Sequence, residues 1–318
     1  MNILITGGAG FIGSHVGSAL AAAGHRIVVL DDFNDYYDPA IKRNNLRDLL
    51  PDAVVVEGDI RNKADVARTF GLGVDAVIHL AARAGVRPSI AEPELYLSTN
   101  LNGTYNLLEA CRENGVNRFV FASSSSVYGV NKKVPFAEDD LIQSTISPYA
   151  MTKLAGEQMC SNFCHLYGIR TTCLRFFTVY GPRQRPDLAI RKFTELIHQG
   201  SPIDMYGDGS TERDYTYIDD IVQGVVAAFH YDGKAFDIFN LGESQTTTLN
   251  DLIAEIGRAL GREPVIRRLP DQPGDVPRTF ADISKARDLL GYNPSTKIAQ
   301  GIPRFVDWYL KTIASCRS

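Results

Sequence analysis

With 318 residues the chain is long enough, at roughly 150 residues per domain, for one large or two unequal domains whose core needs no disulfide staples. A composition of 44% apolar and 22% charged residues excludes a disordered chain, and a net charge of −4 with no basic run argues against an electrostatic nucleic-acid binder. No stretch approaches the ~18 apolar residues of a membrane span, the start Met1-Asn2-Ile3-Leu4-Ile5-Thr6-Gly7 has no basic leader, and the cysteines at 111, 160, 164, 173 and 316 lack CxxC spacing, so a reducing cytoplasm is expected.

Short β-rich runs at 2–6, 26–31, 53–57, 75–80 and 117–122 alternate with helical segments near 11–23, 39–49, 62–70 and 98–114. That β-α-β order predicts an α/β chain with a doubly wound parallel sheet of the Rossmann kind, in which ligands bind at the carboxyl ends of the strands. A helix at 148–167 and a strand at 171–177 follow, running into Tyr180-Gly181-Pro182-Arg183. Beyond them the pattern loosens into helices at 186–200, 248–261 and 283–290 with Gly/Pro-rich connections such as Asp271-Gln272-Pro273-Gly274-Asp275. The expected division is a dinucleotide-binding domain over 1–180 and a smaller substrate-binding lobe over 181–318, interleaved with the first. Cys160, Cys164 and His165 share a helical stretch without a fourth ligand, so reduced thiols are expected there and no metal.

Gly7-Gly8-Ala9-Gly10-Phe11-Ile12-Gly13 follows a strand and opens a helix. Gly7 permits the tight turn, Gly10 lets backbone approach a pyrophosphate, and Gly13 allows close helix packing, with Phe11 and Ile12 at the helix N-terminus. The next strand ends at Asp31, eighteen residues past Gly13, where a carboxylate suits an adenosine ribose. Asp31 and Asp32 would repel a 2′-phosphate, which favours NAD over NADP. Asp59-Ile60 and Leu80-Ala81-Ala82-Arg83, also at strand ends, are expected along the adenine and phosphate path.

Tyr149 and Lys153 are four residues apart, hence on one face of a helix, and a nearby ammonium would lower the phenol pKa to make a usable acid/base. Upstream, the strand at 117–122 runs into Ser123-Ser124-Ser125-Ser126-Val127-Tyr128-Gly129, which offers hydroxyls to a substrate alcohol.

In this combination the chain resembles the extended short-chain dehydrogenase/reductase family, particularly its nucleotide-sugar epimerases. The resemblance runs from the glycine motif through His79-Leu80-Ala81-Ala82, Asn100, Ser126-Val127-Tyr128-Gly129 and Tyr149/Lys153 to Arg213-Asp214-Tyr215. It implies a tightly held NAD recycled within each turnover and contacted along Asn100, Tyr149 and Lys153. It also implies a catalytic hydroxyl at Ser124, with neighbouring serines leaving the register open, and a Tyr149 that takes the proton of a sugar 4-hydroxyl. Related 4,6-dehydratases carry Asp-Glu where this chain has Ser125 and Ser126, and nucleotide-glucuronate decarboxylases commonly carry Glu at the position of Ser126, so both activities are disfavoured.

The stretches Asp31-Asp32-Phe33-Asn34-Asp35-Tyr36-Tyr37 and Phe177 to Asp187 resemble UDP-glucuronate 4-epimerases more than UDP-glucose 4-epimerases. Arg185, helped by Ser125, Ser126 and Thr178, suits a sugar carboxylate, since guanidinium matches carboxylate geometry; a diphosphate contact or a helix cap is the alternative. Arg213 resembles the family's diphosphate arginine and Asp275 its ribose-binding acid, while Gln272 stands where many UDP-galactose epimerases have arginine, so Arg278 or Lys192 would supply that charge. Tyr206 reads either as a uracil-stacking ring or as a half-buried strand tyrosine. The expected partner is a UDP-sugar, with neutral UDP-hexose epimerisation and a non-catalytic NAD-binding regulator as rival readings. By resemblance a homodimer is expected through helices near 98–114 and 148–167.

Overall fold

The structure, a computed structural model, describes residues 1–270 and 277–315. Its strands, in chain order, are β1 (Asn2–Thr6), β2 (Arg26–Asp31), β3 (Val54–Glu57), β4 (Ala76–His79), β5 (Arg118–Ser124) and β6 (Arg170–Phe176), then β7 (Thr178–Tyr180), β8 (Ile203–Tyr206), β9 (Glu212–Tyr217), β10 (Phe236–Leu241), β11 (Thr246–Thr248) and β12 (Ile266–Leu269). Seven of them form one parallel sheet in the order β10-β6-β5-β4-β1-β2-β3. The order reverses direction between β1 and β4, the switch point where doubly wound sheets open a crevice.

The central strands are buried on both faces, which is why they read as continuous apolar runs instead of alternating ones. Ile5 pairs with Val29 and Ile78 on one face, while Leu4 pairs with Val28 and Val77 on the other, and each set belongs to its own packed core. Helices Phe11–Ala22 and Ile218–Phe229 pack together on the first face; Gly103–Asn114 and Pro148–Tyr167 line the second. A mixed sheet β11-β9-β7 and a parallel pair β12-β8 complete the later part of the chain.

The segment at 98–114 departs from the sequence expectation. Its helix begins at Gly103, preceded by short helices Val86–Ala91 and Pro93–Tyr96 and a π-helical turn Leu97–Asn102. Pro93 takes the first helical position of its helix, where a missing amide donor costs nothing. Strand β10 and the helices Ile218–Phe229 and Ile298–Ser315 went unread in the loosened pattern. Gly224 lets the first of these helices pack directly on β10, because an added Cβ would lie 2.7 Å from Leu241.

A buried polar column joins β1, β4 and the flanking helix. Thr104 Oγ1 donates to Asn100 O at 2.6 Å, so it accepts from His79 Nε2 at 2.9 Å, and His79 Nδ1 in turn accepts from Thr6 Oγ1 at 2.7 Å. Burial, with the charge of Lys153 adding to it, pushes the His79 pKa down to about 3. An unfolded histidine binds its proton near pH 6.5, so between that pH and about 3 the unfolded chain holds more protons and stability falls as pH drops. Urea unfolding between pH 6 and 5 should therefore show a proton uptake larger by about one in the native chain than in His79→Gln; equal slopes would contradict a neutral buried imidazole.

Candidate active site

At the end of β1 the chain turns through Gly7, whose φ of +67° and missing side chain admit the backbone of Ala81; a Cβ there would sit 2.8 Å from Ala81 N. At Gly13 a Cβ would meet Gly7 O at 2.3 Å, so the helix packs directly on the turn. Gly10 caps that helix without a side-chain hydrogen bond, and its first turn carries no acidic residue. The amides of Phe11 and Ile12 thus stand at the positive end of the helix with no internal anion, a cradle that fits the pyrophosphate of a dinucleotide.

Asp31 is 5% exposed at the end of β2 and accepts from Phe33 N at 3.0 Å, Lys42 Nζ at 3.1 Å and Ala9 N at 3.3 Å. Burial pushes its carboxyl up, and the Lys42 charge opposes that. Lys42, also 3.6 Å from Asp32, was not singled out from the sequence; its signal is its place with Asn45 and Leu46 on the buried face of the helix Pro39–Leu49. Asp59 is engaged by Arg61 Nε at 2.8 Å, and Ile60 is buried against Gly103. Leu80, Ala81 and Ala82 form the strand end over Gly7, where Leu80 N donates to Thr6 O. Asn100 clamps the same loop, accepting from Arg83 N at 2.8 Å and donating to Arg83 O and Thr152 Oγ1, both at 3.0 Å. Its side chain holds the loop in place, a role made possible by the π-helical turn it sits in.

Tyr149 and Lys153 lie in the first turns of the helix Pro148–Tyr167, started by Ser147, whose hydroxyl accepts from Ala150 N at 3.1 Å, and by Pro148 at the first helical position. The structure brings Ser124, at the end of β5, to the Tyr149 hydroxyl. Burial raises the phenol pKa, while the Ser124 hydrogen bond and then the Arg185 charge act to lower it. Lys153 donates from its ammonium to Ala122 O at 2.7 Å, 5.1 Å from the Phe121 ring centre, and the charge of Arg185 acts on the phenol. Burial pushes Lys153 down to about 8. Ser124 also caps the turn Ser125–Tyr128, accepting from Ser126 N and donating to Ser126 Oγ, each at 3.2 Å.

Beneath these groups lies a network that the motifs did not reveal. Glu157, one turn beyond Lys153, accepts from Ser123 Oγ at 2.5 Å, Arg175 Nε at 2.9 Å and Arg175 Nη2 at 2.8 Å. Its spacing of four from Lys153 was the available signal. Arg175 stacks 4.8 Å from the Tyr128 ring centre, and Tyr128 donates to Asn240 of β10 at 2.7 Å.

On the other side, Arg185 pairs with Asp187 through Nε and Nη2. Thr178 opens β7, half-buried. Tyr206 ends β8 with the Arg87 guanidinium 5.4 Å from its ring centre, and Arg213 donates to Glu212 O at 2.9 Å. Arg278 is paired with Glu212 at 2.6 Å, and Lys192 is exposed, its charge acting on Asp204. Gln272, Asp275 and Cys316 lie outside the described residues. Among the described residues no group of three or more His, Cys, Asp or Glu could hold a metal ion.

A sequence model of the NAD dependent epimerase/dehydratase family matches residues 3–242. UDP-glucuronate 4-epimerase 1 of Arabidopsis thaliana is 44% identical, over 98% of this chain and 77% of that protein. The structure superposes with a TM-score of 0.92 on UDP-glucuronic acid 4-epimerase from Bacillus cereus in complex with UDP-glucuronic acid and NAD, at 36% identity over 98% of this chain and all of that one. It also matches UDP-glucose 4-epimerase from Thermotoga maritima with UDP-glucose, at a TM-score of 0.90 and 35% identity over the same shares.

Glu157→Gln would leave the Arg175 charge buried without its counter-ion, at a cost of about 3–5 kcal/mol. The double change Glu157→Leu with Arg175→Met should recover most of that loss in denaturant unfolding; a double variant as unstable as the single one would contradict the pairing as the source.

Proposed function

We propose that this chain, which belongs to the NAD dependent epimerase/dehydratase family, interconverts UDP-glucuronate and UDP-galacturonate by inverting C4 of the sugar. The observation that carries this reading is a guanidinium, Arg185, close enough to the Tyr149 phenol for its charge to act there. A 4-hydroxyl at the phenol would put the C6 carboxylate within reach of that cation.

When bound, NAD supplies the acceptor and donor of hydride at C4. Tyr149 takes the proton of the 4-hydroxyl as the ketone forms and returns it once the sugar has turned its other face. Ser124 and Arg185 stabilise the phenolate that accepts the proton and is regenerated when the proton is returned, the one through a hydrogen bond and the other through its charge. The 4-keto glucuronate formed in this step is a β-keto acid, which loses carbon dioxide if its carboxylate swings perpendicular to the ketone. Arg185, with the hydroxyls of Ser125, Ser126 and Thr178, would hold the carboxylate away from that orientation.

On this reading residues 1–180, with β10 returned to their sheet, bind NAD, and the later part of the chain carries the UDP handle through Arg213 and Tyr206. Exposed Tyr105, Leu166 and Tyr167 around Phe163 support pairing of two copies through the helices Gly103–Asn114 and Pro148–Tyr167. A cytoplasmic location belongs to the same reading: Cys111, Cys160, Cys164 and Cys173 are free thiols, and no described helix is long and apolar enough to cross a membrane.

Arg185→Ala should weaken UDP-glucuronate binding by about 1.5–3 kcal/mol, roughly ten- to a hundredfold, and leave UDP-glucose binding within about twofold, by calorimetry. Equal losses on both would favour the neutral-hexose reading. Tyr149→Phe should abolish turnover, and a variant that still epimerises would remove the phenol from the mechanism. Tyr167→Asp should convert a dimer to monomers in sedimentation, whereas a native chain already monomeric would end the dimer assignment.

A further inference from the structure

The two segments that carry the specificity signal, 31–37 and 177–187, meet at one guanidinium. Arg185 Nε and Nη2 make parallel bonds of 3.0 and 2.9 Å to the two oxygens of Asp187. The Tyr36 ring centre lies 5.7 Å from Arg185 Cζ, and the Asp187 carboxylate is close enough to the Tyr36 phenol to help hold its pKa up, behind the effect of burial. Tyr37 stands close enough for the charges of Arg185 and Asp187 both to act on its phenol. A guanidinium carries five N–H donors in a rigid plane with two edges suited to a carboxylate. Asp187 takes the side edge, and among the described residues nothing accepts from Nη1 on the end edge. The same charge acts on Tyr149 and on Tyr96, whose rings meet edge to face at 6.2 Å.

We propose that Asp187 and Tyr36 are positioning residues for acidic-sugar recognition, holding Arg185 by its side edge so that its end edge meets the substrate carboxylate in one fixed orientation. The inference rests on Arg185 as the carboxylate clamp. A guanidinium without this brace would follow the carboxylate as the ring puckers about C4–C5 and carries C6 out of the ketone plane. In the 4-keto sugar that pucker aligns the C5–C6 bond with the ketone π system. The bond then breaks, its electron pair passes to the C4 oxygen through C5, carbon dioxide leaves, and C5 takes a proton from water to give a 4-keto pentose. The brace therefore serves selectivity twice, in binding and in preserving C6.

The test compares Asp187→Ala, Tyr36→Phe and Arg185→Ala for calorimetric binding of UDP-glucuronate and UDP-glucose, and for carbon dioxide trapped during turnover of UDP-glucuronate. Asp187→Ala should bind UDP-glucuronate about tenfold more weakly, bind UDP-glucose within twofold of the native chain, and release carbon dioxide. Tyr36→Phe should shift in the same direction by less, and Asp187→Glu, which restores a carboxylate, should recover part of the loss. Unchanged or tighter binding of UDP-glucuronate by Asp187→Ala would overturn the proposal, showing that the two carboxylates compete for the guanidinium. Equal weakening of both ligands would also overturn it. If Arg185→Ala is selective while Asp187→Ala is not, the brace alone fails; if Arg185→Ala is itself unselective, the clamp fails first.

Discussion

The pairing of Glu157 with Arg175 fixes the register of the reactive edge. Both side chains are nearly sealed from water, at 1% and 3% exposure, and neither charge is tolerable there without the other. Satisfying them requires the helix Pro148–Tyr167, β5 and β6 to keep one relative position, because Glu157 also accepts from Ser123 on β5. Ser124 follows Ser123 directly, so its hydroxyl reaches Tyr149 only when that position is kept. Through Tyr128 and Asn240 the constraint extends to β10 at the sheet edge, 83 positions beyond Glu157. Lys153 sits above this pair, and the carboxylate of Glu157 supports its charge against the burial that lowers it.

What could be read from the sequence was local. Runs such as Ile3-Leu4-Ile5 and Val28-Val29-Leu30 declare doubly buried strands, the glycines at 7 and 13 declare a turn with a helix against it, and Ser147-Pro148 declares the helix start that places Tyr149. What could not be read depends on distant partners. Lys42 matters because Asp31 is buried beneath it, and Arg175 because Glu157 lies across the sheet face. The direction of Lys153 follows from its hydrogen bond to the Ala122 carbonyl on β5, which no spacing encodes. Later strands of three to six residues leave too short a period to read.

Several cations around the cleft already have acidic partners: Lys42 with Asp31, Arg185 with Asp187 and Arg278 with Glu212. Such pairing holds long side chains in place at little entropic cost on binding and keeps an acidic chain from presenting a bare positive groove. It also means that selectivity depends on which edge of a paired cation remains open, a property of geometry that residue identity alone does not convey. The positive end of the helix after Gly10 stands apart, with backbone amides and no side-chain partner at the cap, an end suited to an anion.

The most direct measurement follows UDP-glucuronate labelled with deuterium at C4 through the purified chain, with no NAD added, by NMR of the sugar. The account predicts UDP-galacturonate that keeps its deuterium at C4 and its carboxylate at C6. Label lost to solvent, or a pentose product, would contradict an epimerisation in which the 4-keto sugar stays bound, turns over and is protected by its carboxylate clamp.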